Sequence, residues 1–274
     1  MKTIYTVFLF GLTIFIGLLS QAQTTASQTF ATKTILAIFA HPDDEVAISP
    51  VLARYARQGT KVYLAIATDG QQGVTPHAKI PAGDTLGKVR RAEATCACQQ
   101  LGIKPPVFFG LQDGGLYSLE TLQVLHQHIV KLFTELKPDV VITWGPDGGY
   151  GHADHRIVSD VVTEVFQTGA NNGSQQLLYT AFPKEAMQNM PPMKTFTGKW
   201  LSQSFHTTLT KYLTYQIPYE AIDLKTARTS YACHKSQFTP DDMDEIFLLI
   251  GQTKGKAYLR PWNGSSKIQV DLFK

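Results

Sequence analysis

The stretch AIFAHPDDEVAISP, residues 37–50, places a histidine, a proline and three consecutive acids directly after an apolar run. The run begins earlier, as TILAIFA over 34–40, and a continuous apolar segment of this length is typical of a strand buried on both faces of a sheet. Apolar residues then recur at helical spacing over 46–59, where Pro50 fits a helix only in its first turn or at a kink. The stretch therefore predicts a strand, a polar turn and a helix.

The same alternation of strands and helices continues along the chain. Sequence patterns predict further strands at 61–70, 107–110, 139–144, 175–182 and 256–262, and helices at 85–102, 119–137, 152–166, 223–237 and 240–253. Strands separated by helices indicate a Rossmann-like α/β fold, with a mostly parallel sheet covered by helices on both faces. Ligands of such sheets bind beyond the carboxyl ends of the strands, where this chain is rich in Gly, Asp and His. We expect one domain over residues 30–274.

The N-terminus has the pattern of a secretory signal peptide. Lys2 precedes an apolar stretch over 4–19, and Ser20-Gln21-Ala22 supplies small residues at the positions that a signal peptidase reads. An uncleaved membrane anchor is the alternative, because the stretch is only slightly shorter than the roughly 20 residues of a spanning helix. We predict a signal peptide over 1–22, an exported protein in the periplasm or outside the cell, and no stable membrane insertion after cleavage.

Composition excludes one class of partner and says little of the others. The formal charge is +3, and no basic run with interleaved aromatic residues is present, so we do not expect nucleic-acid binding. The three cysteines leave at least one thiol unpaired within the chain. Cys96 and Cys98 lie two apart on a predicted helix and are interpreted as small buried residues. No disulfide framework is therefore expected.

Two polar clusters follow predicted strands and together suggest a metal site. His41 and Asp44 bracket the first turn, and His152 and His155 lie three apart in GHADH. Two histidines and one carboxylate with an open position form the kind of site that binds catalytic zinc and acidifies its water. Taken alone, the acids of residues 43–45 could instead cap a helix. The placement of both clusters at strand ends of one sheet favours the metal site.

The two clusters also carry a family resemblance. AHPDDE over 40–45, followed about 110 positions later by YGHADH over 150–155, resembles the PIG-L/LmbE-like zinc-dependent N-deacetylases. That family includes the N-acetylglucosaminyl-phosphatidylinositol deacetylase and the bacterial deacetylases of the mycothiol and bacillithiol pathways. Supporting matches are TDG (68–70), FFGLQDGGL (108–116), KPDVVITW (137–144) and HKSQ (234–237). Two positions depart from the family pattern: Ala153 replaces a proline, and Gln71 replaces a glutamate.

The resemblance implies a role for each matching residue. His41, Asp44 and His155 would bind one zinc ion per chain, with Asp43 as the general base on its water. His152 would lie beside the metal as a possible acid, with Asp154 adjusting it and Tyr150 helping to hold the oxyanion. Arg90 and Asp113 would bind the substrate. Either His152 or protonated Asp43 could deliver the proton to the leaving amine.

The implied function is removal of an N-acetyl group from an N-acetylglucosamine-type sugar or glycoconjugate. Two other classes remain as alternatives. His41, Asp43 and His155 also spell the two-histidine, one-carboxylate triad of non-haem iron oxygenases, in which Asp43 would be a ligand and Asp44 idle. An inactive glycan-binding module is the third class, although every position expected in catalysis is filled.

Overall fold

A computed structural model describes residues 32–169, 176–188 and 190–273. The predicted signal peptide, residues 1–22, lies outside the described residues. The described part belongs to one compact unit, Ala31–Lys274. In that part of the chain, no helix is both long enough and apolar enough to cross a membrane.

Strands and helices alternate through the first two thirds of the chain. The described strands are β1 (Thr34–Phe39), β2 (Lys61–Thr68), β3 (Val107–Leu111), β4 (Val140–Trp144), β5 (Gln176–Ala181), β6 (Tyr215–Pro218) and β7 (Lys256–Pro261). The described α-helices are α1 (Ser49–Arg57), α2 (Asp84–Leu101), α3 (Leu119–Leu136), α4 (Gly148–Gly151), α5 (Ala153–Gln167), α6 (Lys184–Met187), α7 (Phe196–Ser204), α8 (Ala221–Tyr231) and α9 (Pro240–Gly251). Two short 3-10 helices span Asp44–Ile48 and Thr210–Tyr212.

The strands form one sheet in the order β3-β2-β1-β4-β5-β7-β6. The strands β1 to β5 are parallel to their neighbours, whereas β7 runs antiparallel to both β5 and β6. The carboxyl ends of β3, β2, β1 and β4 therefore lie side by side at one edge, and the polar segments that follow them are brought together there.

Successive side chains of the central strand β1 enter two separate cores. Ile35 and Phe39 pack on the face that α1 and α2 cover, whereas Leu36 and Ile38 pack on the face that α3 and α5 cover. All of them are fully buried, which explains why β1 is apolar throughout rather than alternating. The prediction of a mostly parallel sheet with helices on both faces is confirmed.

Several predicted boundaries shift, and the differences concentrate near the site and in the last third. The helix predicted over 46–59 is a 3-10 helix followed by α1, with Pro50 at its second position. The helix predicted over 152–166 begins one residue later, because His152 caps it through a bond from the Asp154 amide. The helix predicted over 223–237 runs from Ala221 to Tyr231. The elements α4, α6, α7 and β6 were not predicted.

The prediction about cysteines is wrong in one respect. Cys96 on α2 forms a disulfide with Cys233, which follows α8, while Cys98 is free and buried. The sequence could not indicate this pairing, because the two cysteines lie 137 residues apart and meet only when α8 packs on α2. The odd thiol was expected and is Cys98.

Candidate metal centre

Asp44 is held so that one carboxylate oxygen is saturated and the other is free. Its Oδ2 accepts hydrogen bonds from the amides of Ala40 and His41, at 3.0 and 2.9 Å, and from Trp144 Nε1 at 3.0 Å. Its Oδ1 lies 3.3 Å from His155 Nε2. Burial raises the pKa of the Asp44 carboxyl, but His155 and His41 outweigh it and hold that pKa well below its usual range. Asp44 is therefore an ionised group with one oxygen available to a cation.

The two histidines present facing nitrogen atoms. His41 Nδ1 lies 3.0 Å from His155 Nε2 and 3.8 Å from Asp44 Oδ2. His155 Nδ1 lies 3.1 Å from the Gly148 carbonyl and can only donate to it, which fixes the neutral tautomer with a lone pair on Nε2. An outer partner of this kind is typical of metal-binding histidines.

The opposite edge of the His41 ring faces two more carboxylates. His41 Nε2 lies 3.0 Å from Asp113 Oδ1 and 3.4 Å from Asp154 Oδ2, although its N–H is not aligned for a hydrogen bond with either. Burial lowers the pKa of His41, but Asp113 and Asp154 outweigh it and raise that pKa to about 10. At neutral pH a ring with this pKa is protonated on both nitrogens, so His41 Nδ1–H can donate to the lone pair of His155 Nε2 at 3.0 Å. A divalent cation that replaces this proton would bind both nitrogens, because Asp113 and Asp154 favour the other proton on His41 Nε2.

The donor atoms fit a divalent metal ion. In the predicted set, His155 Nε2 lies 3.0 Å from His41 Nδ1 and 3.3 Å from Asp44 Oδ1, and Asp44 Oδ2 lies 3.8 Å from His41 Nδ1. Two other groups of donors also lie within 4.8 Å of one another: His41 with His152 and His155, and His41 with Asp113 and Asp154. We favour the predicted set, because two imidazoles and a carboxylate suit a catalytic metal, and because His152 Nδ1, Asp113 and Asp154 already accept hydrogen bonds from backbone amides.

Asp43 lies beside this set but is held separately. Its backbone has φ 91°, a left-handed conformation, and its amide donates to Glu45 Oε2 at 3.1 Å. Its carboxylate accepts from Arg90 at 3.1 Å. Burial raises the pKa of Asp43 to about 6 against the opposing effect of Arg90. Neither Asp43 nor Asp44 caps the following 3-10 helix with its side chain, whereas Glu45 accepts a hydrogen bond from the amide of Asp43, the N-cap residue.

Arg90 is buried behind the turn that follows β1, which contains Asp43 and Asp44. Its guanidinium donates to the carbonyls of Pro42 and Gly70, at 2.6 and 2.8 Å, in addition to Asp43. Gly73 leaves room for it, since a Cβ there would lie 2.2 Å from an Arg90 nitrogen. Arg90 therefore holds Asp43 and the turn in place, and its role in binding substrate stays a prediction. Asp113, expected to bind substrate, faces His41 and accepts from the Gln72 amide at 2.8 Å.

The segment after β4 brings the remaining predicted residues to the same place. Glycines at 148, 149 and 151 have positive φ, and a Cβ on Gly149 would lie 2.8 Å from the Trp144 ring. The Tyr150 ring lies 5.0 Å from the His155 ring. Burial raises the pKa of Tyr150, so its hydroxyl stays protonated. This hydroxyl can therefore donate a hydrogen bond to an oxyanion.

His152 and Asp154 are close in sequence, but their side chains face different partners. His152 Nδ1 accepts from the Asp154 amide at 3.1 Å, so the neutral ring carries its proton on Nε2. Burial lowers the pKa of His152, and the neighbouring His41 lowers it further. The Asp154 carboxylate accepts from the Gly114 amide at 2.7 Å and faces His41. The Asp154 carboxylate therefore affects the pKa of His152 through its charge and not through a hydrogen bond.

Sequence reasoning did not place two residues, Trp144 and His234, at the centre. Trp144 ends β4 and donates to Asp44. His234 Nε2 lies 2.6 Å from Glu45 Oε1, and both side chains are buried. One signal was available: a buried indole N–H needs a hydrogen-bond acceptor, and Trp144 is the last residue of a predicted buried strand. The partner of His234 was not predicted, although its HKSQ segment was noted.

Comparisons with known proteins agree with the fold and with the motifs. Residues 36–166 match the family model PIG-L, described as GlcNAc-PI de-N-acetylase. A 1D-myo-inositol 2-acetamido-2-deoxy-alpha-D-glucopyranoside deacetylase from Salinispora arenicola is 30% identical over 183 residues, which cover 58% of this chain and 59% of that protein. The chain spans about half the length of the curated relatives it matches.

Solved structures share the fold at low identity. The N,N'-diacetylchitobiose deacetylase from Pyrococcus horikoshii has a TM-score of 0.60 and 20% identity over 85% of this chain and 84% of that one. GalB, the 4-carboxy-2-hydroxymuconate hydratase from Pseudomonas putida, has a TM-score of 0.56 and 14% identity, and the match covers 88% of this chain and 99% of that one. A deacetylase and a hydratase on one scaffold show that the fold alone does not define the reaction. The match that carries the resemblance is the one over the motif-bearing residues 36–166, and it is to the PIG-L, or LmbE-like, family.

Proposed function

We propose that this protein is a zinc-dependent hydrolase that removes the N-acetyl group from an N-acetylglucosamine-type sugar or glycoconjugate. The observation that carries the proposal is the convergence of His41 Nδ1, Asp44 Oδ1 and His155 Nε2, with the Asp43 carboxylate beside them on a separate support. The deacetylase activity named for the curated relatives supports the same reaction class.

His41, Asp44 and His155 would hold the metal ion. When bound, zinc acidifies its water and polarises the amide carbonyl. Asp43 accepts the proton of the attacking water, and a pKa near 6 lets it do so at neutral pH and hold the proton afterwards. Arg90 keeps the Asp43 carboxylate oriented towards the centre.

Two further groups act on the charge that develops on the carbonyl oxygen. The Tyr150 hydroxyl and the His152 Nε2–H can each donate a hydrogen bond to it, as donors of an oxyanion site. The leaving amine takes its proton from Asp43 or from His152, and both lie at the same centre. Water is limited there because His41, Asp44 and His155 are buried.

The oxygenase alternative is less consistent with the geometry. It needs Asp43 as the third ligand, yet the Asp43 carboxylate pairs with Arg90, and Asp44 Oδ1 is the oxygen that faces His155. A glycan-binding module would need none of the acid–base groups. Turnover separates this module from an enzyme, and metal analysis separates zinc from iron.

The direct test of the proposed function is amine release from a panel of N-acetylated sugars by the metal-reconstituted protein. We expect turnover that is lost on chelation and restored by zinc. Absence of amine release from every acetamido sugar, with a correctly folded and metal-loaded protein, would contradict the proposal.

We also propose that the protein is exported after cleavage behind Ala22. The apolar stretch over 4–19 supports this, and so does the Cys96–Cys233 disulfide, because disulfides persist mainly in oxidising compartments. N-terminal sequencing of material from outside the cytoplasm should begin at Gln23. Exported material that still begins at Met1 would contradict cleavage.

A further inference from the structure

A large cavity opens directly from the metal centre. It has a volume of about 560 Å³, and its wall on the catalytic side includes Asp43, Asp44, Tyr150 and His152. Any molecule whose amide reaches these residues therefore also has access to this cavity. Its opposite walls come from the region after β5, which lies outside the family match over residues 36–166.

The far walls of the cavity are mostly apolar. Side chains of α7, α8, α9 and the segments beside them line it: Phe182, Leu201, Tyr231, Phe238, Ile246 and Leu249. Polar side chains also line the cavity, among them His206, Gln237 and Lys256. A sugar hydroxyl moved from water to the apolar part of the wall would lose hydrogen bonds that this part cannot replace. The apolar part of the cavity is thus better suited to an apolar group than to a second sugar ring.

The acetyl group cannot account for this space. Its methyl is comparable in size with one water molecule, which takes up about 30 Å³ in the liquid. If the group removed is acetyl, the apolar group that fills the cavity must belong to the amine side of the substrate.

Two aromatic residues of α7 extend the apolar surface to the solvent. Phe196 is 82% exposed and Trp200 is 39% exposed, and both line the cavity. The Trp200 ring lies 4.6 Å from that of Tyr150, in an edge-to-face contact that connects α7 to the catalytic side. Large aromatic side chains left exposed beside a cavity mark a surface for an apolar ligand.

We propose that the substrate is an acetamido sugar with an apolar aglycone, alkyl or aryl, and that this aglycone binds in the cavity against Trp200. This inference rests on the proposed deacetylase function and specifies its substrate class. The sugar remains at the polar side of the centre, and the aglycone extends away from it.

The test compares glycosides that differ only in the aglycone. The metal-loaded full chain is assayed for amine release from the methyl and hexyl glycosides of N-acetylglucosamine, from N,N'-diacetylchitobiose and from the methyl glycoside of N-hexanoylglucosamine. Each fully buried methylene is worth about fourfold in kcat/KM. We expect at least a tenfold preference for hexyl over methyl glycoside.

A matched pair of variants assigns the effect to the cavity. Trp200→Ala should remove most of the preference for hexyl over methyl glycoside, and the ratio within one variant cancels any general loss of activity. Trp262→Ala is the control, since Trp262 is also 39% exposed but packs against Phe166. It should keep the full preference.

A binding arm separates this inference from the proposed function. Hexyl and methyl glucoside have no amide, so calorimetry measures their binding without catalysis. Tighter binding of hexyl glucoside in the absence of any deacetylation would support the cavity assignment and contradict the function. Deacetylation with equal kcat/KM for the hexyl and methyl glycosides would overturn the inference alone. A preference for diacetylchitobiose, or for the N-hexanoyl substrate, over the hexyl glycoside would also overturn it.

Discussion

The three acids at residues 43–45 are neighbours in the chain but have different partners. Asp44 binds back to the amides of Ala40 and His41 and faces His155, Asp43 pairs with Arg90, and Glu45 pairs with His234. The left-handed backbone at Asp43 sends these carboxylates in separate directions. Under the proposed function, one short segment thereby supplies a metal ligand, Asp44, and a base, Asp43, together with a buried contact of Glu45.

A substitution of Asp113 tests whether the carboxylates around His41 affect the affinity for the metal ion. Because the Asp113 carboxylate lies 3.0 Å from His41 Nε2, Asp113→Asn should weaken metal binding by about 10–100-fold. Competition with a chelator measures this. Asp69→Asn is the control, since Asp69 follows β2 at the same edge but pairs with Arg91. A raised KM with unchanged metal affinity would instead assign Asp113 to substrate binding alone.

At the residue scale, the site could be predicted where its members lie in short motifs. His41, Asp44, His152 and His155 were expected together because their two motifs follow predicted strands, and the family resemblance selected His41, Asp44 and His155 as the ligand set. Trp144 and His234 were not expected at the centre, since they meet their partners across 100 and 189 residues of sequence. Such contacts depend on tertiary packing, which no local pattern encodes.

At the element scale, the parallel half of the sheet was predictable, whereas in the antiparallel half β7 was predicted and β6 was not. The strands β1 to β4 are apolar and alternate with long helices, which is a strong pattern. By contrast β6 has four residues and α7 has nine, and neither has a distinct periodicity. Helix α7 forms part of the cavity wall, so the cavity could not be predicted either.

The buried pair Glu45–His234 connects the segment after β1 to the segment after α8. Both side chains are about 1% exposed, so His234→Ala would leave the Glu45 carboxylate buried without its partner. Loss of one member of such a pair costs roughly 3–5 kcal/mol. We expect a decrease of that size in the free energy of unfolding, measured by urea denaturation.

An exposed pair provides the comparison for His234→Ala. Lys131 and Glu135 lie 3.9 Å apart on the surface of α3, where pairs of this spacing contribute about 0.3–0.5 kcal/mol. Lys131→Ala should therefore change stability little. If both variants lose the same small amount, the Glu45–His234 pair does not anchor the turn.

At the scale of the whole molecule, the disulfide joins two parts that are distant in sequence. Cys96 and Cys233 are 137 residues apart, and closing a loop of that length typically stabilises a protein by about 2–4 kcal/mol. Cys96→Ala with Cys233→Ala should lower the free energy of unfolding accordingly. A reductant should destabilise the wild type but not this double variant. Three reactive thiols in the denatured, unreduced wild type would contradict the pairing.

The measurement that tests the account most directly is metal content beside turnover for Asp43→Asn and Asp44→Asn. Asparagine at 44 keeps an oxygen for the Ala40, His41 and Trp144 donors, which limits misfolding as a cause of metal loss. We predict that Asp44→Asn loses zinc. Asp43→Asn should keep about one zinc per chain and lose about 10²–10⁴-fold in kcat, the effect of removing a general base. A metal-free Asp43 variant beside a loaded and active Asp44 variant would contradict the assignment.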